Sequence, residues 1–197
     1  MALVGKKFPN VTVNAISEVG DDLKINILEE AINKKTKVLL FWYPKDFTFV
    51  CPTELHAFQE ASQEFSKRNT IIFGASCDTN EVHFAWLKTP KSNGGIEGVT
   101  YPLLSDTHRH LSSLLGILDQ EVDIAYRATY LIDETGKIFH ESVNDMPLGR
   151  NVHEYLRLID AFTHVQKHGE VCPANWEEGK EAMNANRMGV AEYLSKH

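Results

Sequence analysis

The stretch Val38-Leu39-Leu40-Phe41-Trp42-Tyr43-Pro44-Lys45-Asp46-Phe47-Thr48-Phe49-Val50-Cys51-Pro52-Thr53-Glu54 decides the fold of this chain. Its first six residues are apolar on both alternating faces, which predicts a strand covered on both sides. Beyond it, Leu55, Phe58, Ala61 and Phe65 recur at helical spacing up to Arg68, and Pro52 suits the first helical turn. Cys51 thus stands at a strand-to-helix junction, where backbone N–H groups lack intrahelical partners and the helix dipole is positive. That field favours thiolate over thiol, and thiolate is the nucleophile. The competing reading is a buried, inert cysteine. The polar neighbours and the helix start weigh against it. Glu54 stands where the second cysteine of a C-x-x-C exchanger would be, so an oxidised Cys51 needs a partner from elsewhere.

Outward from this stretch the pattern is mixed. Val11–Ile16 and Leu23–Ile27 nearly alternate around Gly20-Asp21-Asp22 and read as an N-terminal β-hairpin. Leu28–Asn33 reads as a helical turn, Ile71–Ala75 as a buried strand and Val82–Lys88 as a short helix stopped by Pro90. Tyr101–Leu104 reads as a short strand and His108–Leu115 as a helix. Ala128–Asp133 and Ile138–Val143, joined by Glu134-Thr135-Gly136-Lys137, spell a second hairpin. Val152, Tyr155, Leu156, Ile159 and Phe162 share one face of a helix over 152–164. From Asn175 apolar residues thin out, which predicts an arm that packs on something else or stays mobile. The class is α/β with a mixed central sheet flanked by helices, and a cysteine at that helix start fits a thioredoxin-like arrangement. The expected division is a domain over residues 1–165 and a C-terminal arm over residues 166–197.

Composition narrows the partners. Hydrophobic residues make up 43% and charged residues 24%, as in a soluble globular protein. The formal net charge is −7 and no dense Lys/Arg cluster occurs, which argues against nucleic-acid or anionic-membrane binding. No apolar run is long enough to span a bilayer. The N-terminal residues do not resemble a secretory or organelle leader, so the expected location is cytoplasmic. Three cysteines, Cys51, Cys77 and Cys172, do not make a disulfide framework.

Cys172, beyond the last core helix, is a candidate exchange partner or an incidental surface thiol. Cys77 ends a buried strand and reads as packing. Arg127 gains meaning only if it faces Cys51, where a guanidinium would favour the thiolate and bind a developing anion. Thr48 could hydrogen-bond within the same loop, or be a plain turn residue. Asp106-Thr107-His108-Arg109-His110 lacks a third and fourth metal ligand, so no metal site is expected. No dinucleotide or P-loop glycine pattern follows a strand, and no organic cofactor is expected.

At this point the residues resemble a family. Phe41-x-Tyr43-Pro44-x-Asp46-Phe47-Thr48-Phe49-Val50-Cys51-Pro52-Thr53-Glu54 is similar to the active-site signature of typical two-cysteine peroxiredoxins, the group of alkyl hydroperoxide reductase C and thioredoxin peroxidase. His83-Phe84-Ala85-Trp86, Pro102–Asp106, Leu148–Val152 and Val171–Trp176 fall where the family has similar blocks, so the resemblance spans nearly the whole chain. It implies a thiol peroxidase for hydrogen peroxide and organic hydroperoxides. Cys51 would be the peroxidatic cysteine and Cys172 the resolving cysteine of the partner subunit. Pro44 would shield the pocket, Thr48 would hydrogen-bond the peroxide and Cys51, and Arg127 would stabilise the thiolate and the transition state. Glu54 and Arg150 would orient that arginine. It also implies recycling by thioredoxin or a dedicated disulfide reductase, no cofactor, and homodimers assembling into a ring, a decamer. Ring-forming relatives add a holdase-like or signalling role as an alternative, and a one-cysteine peroxidase with an idle Cys172 is another. Two departures stand out: the loop reads Gly94-Gly95-Ile96-Glu97-Gly98 where easily over-oxidised members carry Gly-Gly-Leu-Gly, and Leu194 follows Tyr193 where they carry Phe. Both predict looser packing of the tail and less over-oxidation.

Overall fold

The computed structural model describes residues 2–197. In chain order the elements are β1 (Thr12–Ile16), β2 (Asp22–Asn26), α1 (Ile27–Lys34), β3 (Lys37–Trp42), α2 (Cys51–Glu60), α3 (Ser62–Lys67), β4 (Thr70–Ser76), α4 (Asn80–Leu87), β5 (Leu103–Ser105), α5 (His110–Leu115), β6 (Leu118–Asp119), β7 (Ile124–Ala125), β8 (Arg127–Ile132), β9 (Ile138–Asn144), α6 (Val152–His168) and α7 (Arg187–Lys196). Two compact units result, one ending at Val152 and one formed by His153–His197.

The first unit is built on a seven-stranded sheet in the order β2-β1-β5-β4-β3-β8-β9. β3, β4 and β5 are mutually parallel neighbours, while β1, β8 and β9 join antiparallel. The sheet is therefore mixed, as the alternation of strands and helices implied. β3 is buried at every position, and so is β8 beside it. That explains the continuous apolar run at 38–43: both faces of an interior strand are covered by other elements. On one face of the sheet, Val38, Leu40, Trp42, Phe73 and Tyr130 belong to a single buried cluster. On the other, Phe41 stacks on Phe58 of α2 at 4.1 Å between ring centroids, and Tyr101 meets Phe41 edge-on at 5.7 Å.

Two local differences from the expectation have simple causes. The helix expected over 52–68 is two helices, because Ala61 (φ −86°, ψ −1°) departs from ideal helical torsions and the next turn starts afresh at Ser62. The ribbon of β6 and β7 pairs only two residues with two, too short for any periodicity to register. The N-terminal hairpin, the second hairpin and the buried strands fall where the pattern placed them, within a residue or two.

Within the second unit, α6 buries Tyr155 and Ile159, and the following segment is not structureless. Val171 and Met183 form a two-way backbone bridge, Trp176 is buried, and α7 begins at an Asn186 cap that accepts from Gly189 N. Sparse apolar residues hid this helix, which has no fully buried residue.

One glycine is set by space. A Cβ on Gly95 would lie 1.9 Å from the Thr89 carbonyl oxygen. The loop it sits in is anchored by Trp86 Nε1 donating to Gly94 O (2.9 Å) and by His56 Nε2 on Gly95 O (3.0 Å). Gly95→Ala is expected to cost about 1–3 kcal/mol through forced backbone displacement. Urea unfolding monitored by circular dichroism measures this, and an unchanged midpoint would contradict the packing described.

Candidate active site

The site forms where the sheet turns over into helices. β3 and β4 run parallel, so their C-terminal ends open on one edge, the usual place for a site in such sheets. β8 runs antiparallel to β3 with Phe41 opposite Thr129, so Arg127, at the start of β8, lies beside the end of β3. Cys51 enters from the loop after β3 as the first residue of α2. Residues 76 apart in sequence meet because of that antiparallel register.

Cys51 is fully buried and its thiol is free. Arg127 Nη1 lies 3.3 Å from its sulfur. The same nitrogen donates to Glu54 Oε2 at 2.6 Å, and Arg127 Nε donates to Met146 O at 2.6 Å, so the guanidinium has a fixed orientation. Glu54 is one turn along α2 from Cys51. Its carboxylate also accepts from Arg150: Nε to Oε1 at 2.8 Å, Nη2 to Oε2 at 2.9 Å and the backbone N to Oε1 at 3.0 Å. Arg150 Nη1 in turn donates to Trp42 O and Ala128 O, both at 2.9 Å, tying the ends of β3 and β8 to α2.

Charge counting shows what this arrangement does. Arg127, Arg150 and Glu54 are all nearly inaccessible, with side chains no more than 4% exposed. Two guanidiniums share one carboxylate, so the cluster carries one uncompensated positive charge in a poorly solvated place. Isolated buried charge is costly, and a negative charge on the adjacent sulfur neutralises it. The site therefore offers a fixed cation and hydrogen-bond donors to negative charge developing nearby.

Pro44 is buried and Thr48 is half-buried in the loop between β3 and α2. The Thr48 hydroxyl donates to Lys45 O at 2.8 Å, a local bond that closes the turn, rather than pointing its proton at Cys51. Phe47, just before it, has φ +53°, the left-handed conformation that redirects the chain. Val50 O gathers the first turn of α2, accepting from Thr53 N (3.0 Å), Glu54 N (3.3 Å) and Thr53 Oγ1 (2.6 Å).

Cys172 belongs to the second unit. It is half-buried, with its Sγ 3.6 Å from Ala161 O on α6. Burial pushes its thiol up, the Arg157 guanidinium pulls it down and Glu170 raises it again. Arg157 Nη1 donates to Trp176 O at 2.9 Å, and Arg157 is clamped by both carboxylate oxygens of Glu154 at 2.7 Å. Cys77 is different in kind: burial, then Asp106, push its thiol up to about 11, which suits a packing role. Asp106, in the histidine-containing segment, is spent on α5, accepting from Leu111 N, Ser112 N and Ser112 Oγ.

One group of residues lay inside the quoted family motifs without a role of its own. Asp46, His83 and Tyr43 form a buried polar network under the Cys51 loop. Tyr43 OH donates to Asp46 Oδ1 at 2.9 Å, and His83 Nδ1 lies 2.7 Å from Asp46 Oδ2. The signal that could have found His83 is its spacing: with Trp86 and Leu87 it lies on the buried face of α4.

Comparison with known proteins gives the family of this chain. Residues 4–141 match the AhpC/TSA family, and residues 161–196 match the C-terminal domain of 1-Cys peroxiredoxin. Peroxiredoxin-1 of Gekko japonicus is 42% identical over 196 residues, covering 100% of this chain and 97% of the relative. Alkyl hydroperoxide reductase C of Helicobacter pylori is 42% identical over 198 residues, covering 99% and 98%. The reduced crystal structure of Plasmodium vivax 2-Cys peroxiredoxin superposes with a TM-score of 0.95 at 42% identity, covering 99% of this chain and 100% of that one. The chain belongs to the AhpC/TSA family of peroxiredoxins, with their thioredoxin-like fold, and is a thiol-dependent peroxidase.

Two outcomes follow from the charge cluster. Glu54→Gln leaves two buried guanidiniums without their carboxylate and is expected to lose about 3–5 kcal/mol of stability in urea unfolding. Arg127→Gln removes a charge-assisted contact of about 1.5–3 kcal/mol, so iodoacetamide should alkylate Cys51 about 10- to 100-fold more slowly at pH 7. Cys77, with its thiol near 11, should stay unmodified in the same peptide map. Equal labelling of Cys51 and Cys77 would contradict the assignment.

Proposed function

We propose that Cys51 is the peroxidatic nucleophile of this peroxidase and Cys172, carried on the arm over 166–197, its resolving partner from a second subunit. The observation that carries the reading is the Arg127 guanidinium 3.3 Å from the Cys51 sulfur in a cluster with one unbalanced positive charge.

The Cys51 thiolate attacks the distal oxygen of the hydroperoxide. The O–O bond breaks, the leaving alkoxide or hydroxide takes a proton, and Cys51 becomes a sulfenic acid. Arg127, already oriented by Glu54 and Met146 O, stabilises the charge that shifts toward the leaving oxygen. Pro44 excludes water from the sulfur and Thr48 orients the peroxide. The Cys172 thiol then displaces water from the sulfenic acid to give a Cys51–Cys172 disulfide between subunits. A dithiol protein such as thioredoxin, or a dedicated disulfide reductase, returns both thiols by exchange.

Disulfide geometry needs Cα atoms within about 7 Å, and Cys51 is fully buried, so the first turn of α2 must open for the sulfurs to meet. Within that turn Glu54 is held by Arg127 and Arg150, but Val50 caps the turn without a side-chain bond. Leu194, near the end of the chain, is 66% exposed. Both features support the reading that opening is easy and over-oxidation infrequent. Around the site, Phe47 is 53% and Phe49 95% exposed, a large aromatic surface beside the reacting centre. It supports homodimers assembling into a ring such as a decamer. A cytoplasmic location fits three cysteines with no disulfide framework.

A Cys51→Ser protein should lose peroxide consumption, whereas a holdase role would survive it. Cys172→Ser should keep the first turnover and lose the covalent dimer on non-reducing electrophoresis. A persistent monomer in the oxidised wild type would point to a one-cysteine cycle. Mass spectrometry after graded peroxide should show disulfide well before sulfinic acid on Cys51. Sulfinic acid at the lowest doses would overturn the easy-opening reading.

A further inference from the structure

The loop that presents Thr48 and Cys51 has an anchor that the peroxidase chemistry does not use. Asp46 is its centre. The Asp46 backbone N donates to Asp78 Oδ2 at 2.9 Å, and that oxygen also accepts from Ser76 Oγ at 2.8 Å, at the end of β4. The Asp46 carboxyl accepts from Tyr43 OH at 2.9 Å and meets His83 Nδ1 at 2.7 Å. His83 Nε2 lies 3.2 Å from Leu104 O on β5. The His83 and Asp46 side chains are both 0% exposed.

The partners fix where hydrogens sit. A carbonyl oxygen only accepts, so His83 Nε2 carries a hydrogen for Leu104 O. Nδ1 faces a carboxyl oxygen, so one further proton lies between Nδ1 and Asp46 Oδ2. His83 thus joins α4 and β5 to the middle of the loop through two directed bonds. Asp46 lies two residues before Thr48, and Phe47, between them, holds a left-handed φ of +53°. A left-handed non-glycine residue persists only where its surroundings dictate it. The network supplies that constraint. It reaches toward the sulfur as well: negative charge on Cys51 acts on the Tyr43 phenol, whose ionisation burial and Asp46 already push well up.

This anchor is separate from the one that charges the sulfur. Arg127 is held by Glu54, which Arg150 also binds, and by Met146 O, and these bonds do not involve Asp46 or His83. The two functions are therefore separable: one cluster makes sulfur anionic, the other shapes the loop that receives the peroxide.

We propose that His83 is a positioning residue for peroxide capture, acting through Asp46 to hold the Pro44–Val50 loop in its receiving shape. This rests on Cys51 being the peroxidatic cysteine. The test compares two reactions of the same sulfur in the reduced full-length protein. One is single-turnover reduction of hydrogen peroxide, followed by tryptophan fluorescence. The other is alkylation by iodoacetamide, which needs the charged sulfur but no peroxide-shaped loop. His83→Gln, whose amide reaches toward Leu104 O but not Asp46, should slow peroxide reduction about 10- to 100-fold, the usual effect of misplacing a reacting group. Alkylation should stay within about twofold, the range of a benign substitution. His83→Asn places its amide nitrogen near the Nδ1 position and should recover part of the peroxide rate. Equal loss in both reactions, no loss in either, or no advantage of Asn over Gln would overturn the proposal. If circular dichroism shows that the His83 variants misfold, Tyr43→Phe, which removes one donor to Asp46 and little volume, decides it. A selective loss of peroxide rate supports the anchor, and an unchanged rate overturns it. Cys51→Ser in the same assay isolates the premise, because persistent single-turnover peroxide reduction there would defeat the Cys51 reading itself.

Discussion

One carboxylate between two guanidiniums governs this site. Among the described residues Glu54 is the acid of a buried cluster with Arg127 and Arg150, and those three place the surroundings of the sulfur. Arg150 fastens the ends of β3 and β8 through Trp42 O and Ala128 O. Arg127 spends one face on Glu54 and Met146 O and presents the same Nη1 to Cys51. Cys51 has this cation at its sulfur, whereas burial and then Asp106 push the Cys77 thiol up to about 11.

Stability and reactivity are tied to the same groups. Glu54 sits on α2, whose first residue, Cys51, would have to leave its pocket in the proposed disulfide cycle. The catalytic arrangement is thus bound to the folded helix, and the resolving step requires the start of that helix to open. Below that first turn, Phe58 stacked on Phe41 and Tyr101 OH donating to Leu55 O at 2.7 Å hold the remainder of α2 against the sheet. Opening of the first turn has to release Glu54 from Arg127 and Arg150, while the packed second turn marks where opening can stop.

Much of the fold was legible in the chain, for reasons that can be named. Residues 38–43 read as a covered strand because both faces are in fact covered, and the two hairpins read from their turns. The place of Cys51 at a strand-to-helix junction was legible from the pattern alone. Arg127 was not: its meaning depends on the antiparallel register that sets β8 beside β3, which no local pattern encodes. Glu54 and Arg150 were available only through family resemblance. His83 was hidden because a histidine on the buried face of a helix looks like ordinary packing until its partners are known. The C-terminal helix was hidden because its apolar residues, Met188, Val190, Tyr193 and Leu194, do not form a buried face.

The central claim is that a fixed cation beside the sulfur makes Cys51 reactive, and chemical rescue tests it most directly. In Arg127→Ala, Glu54 keeps Arg150 as a partner, so the fold retains its main ion pair while the sulfur loses its cation. Single-turnover reduction of hydrogen peroxide by this variant should be slow and should recover in part when millimolar guanidinium ion is added. An equal ionic strength of sodium chloride should not restore it. A variant as fast as wild type, or one restored equally by either salt, would contradict the account.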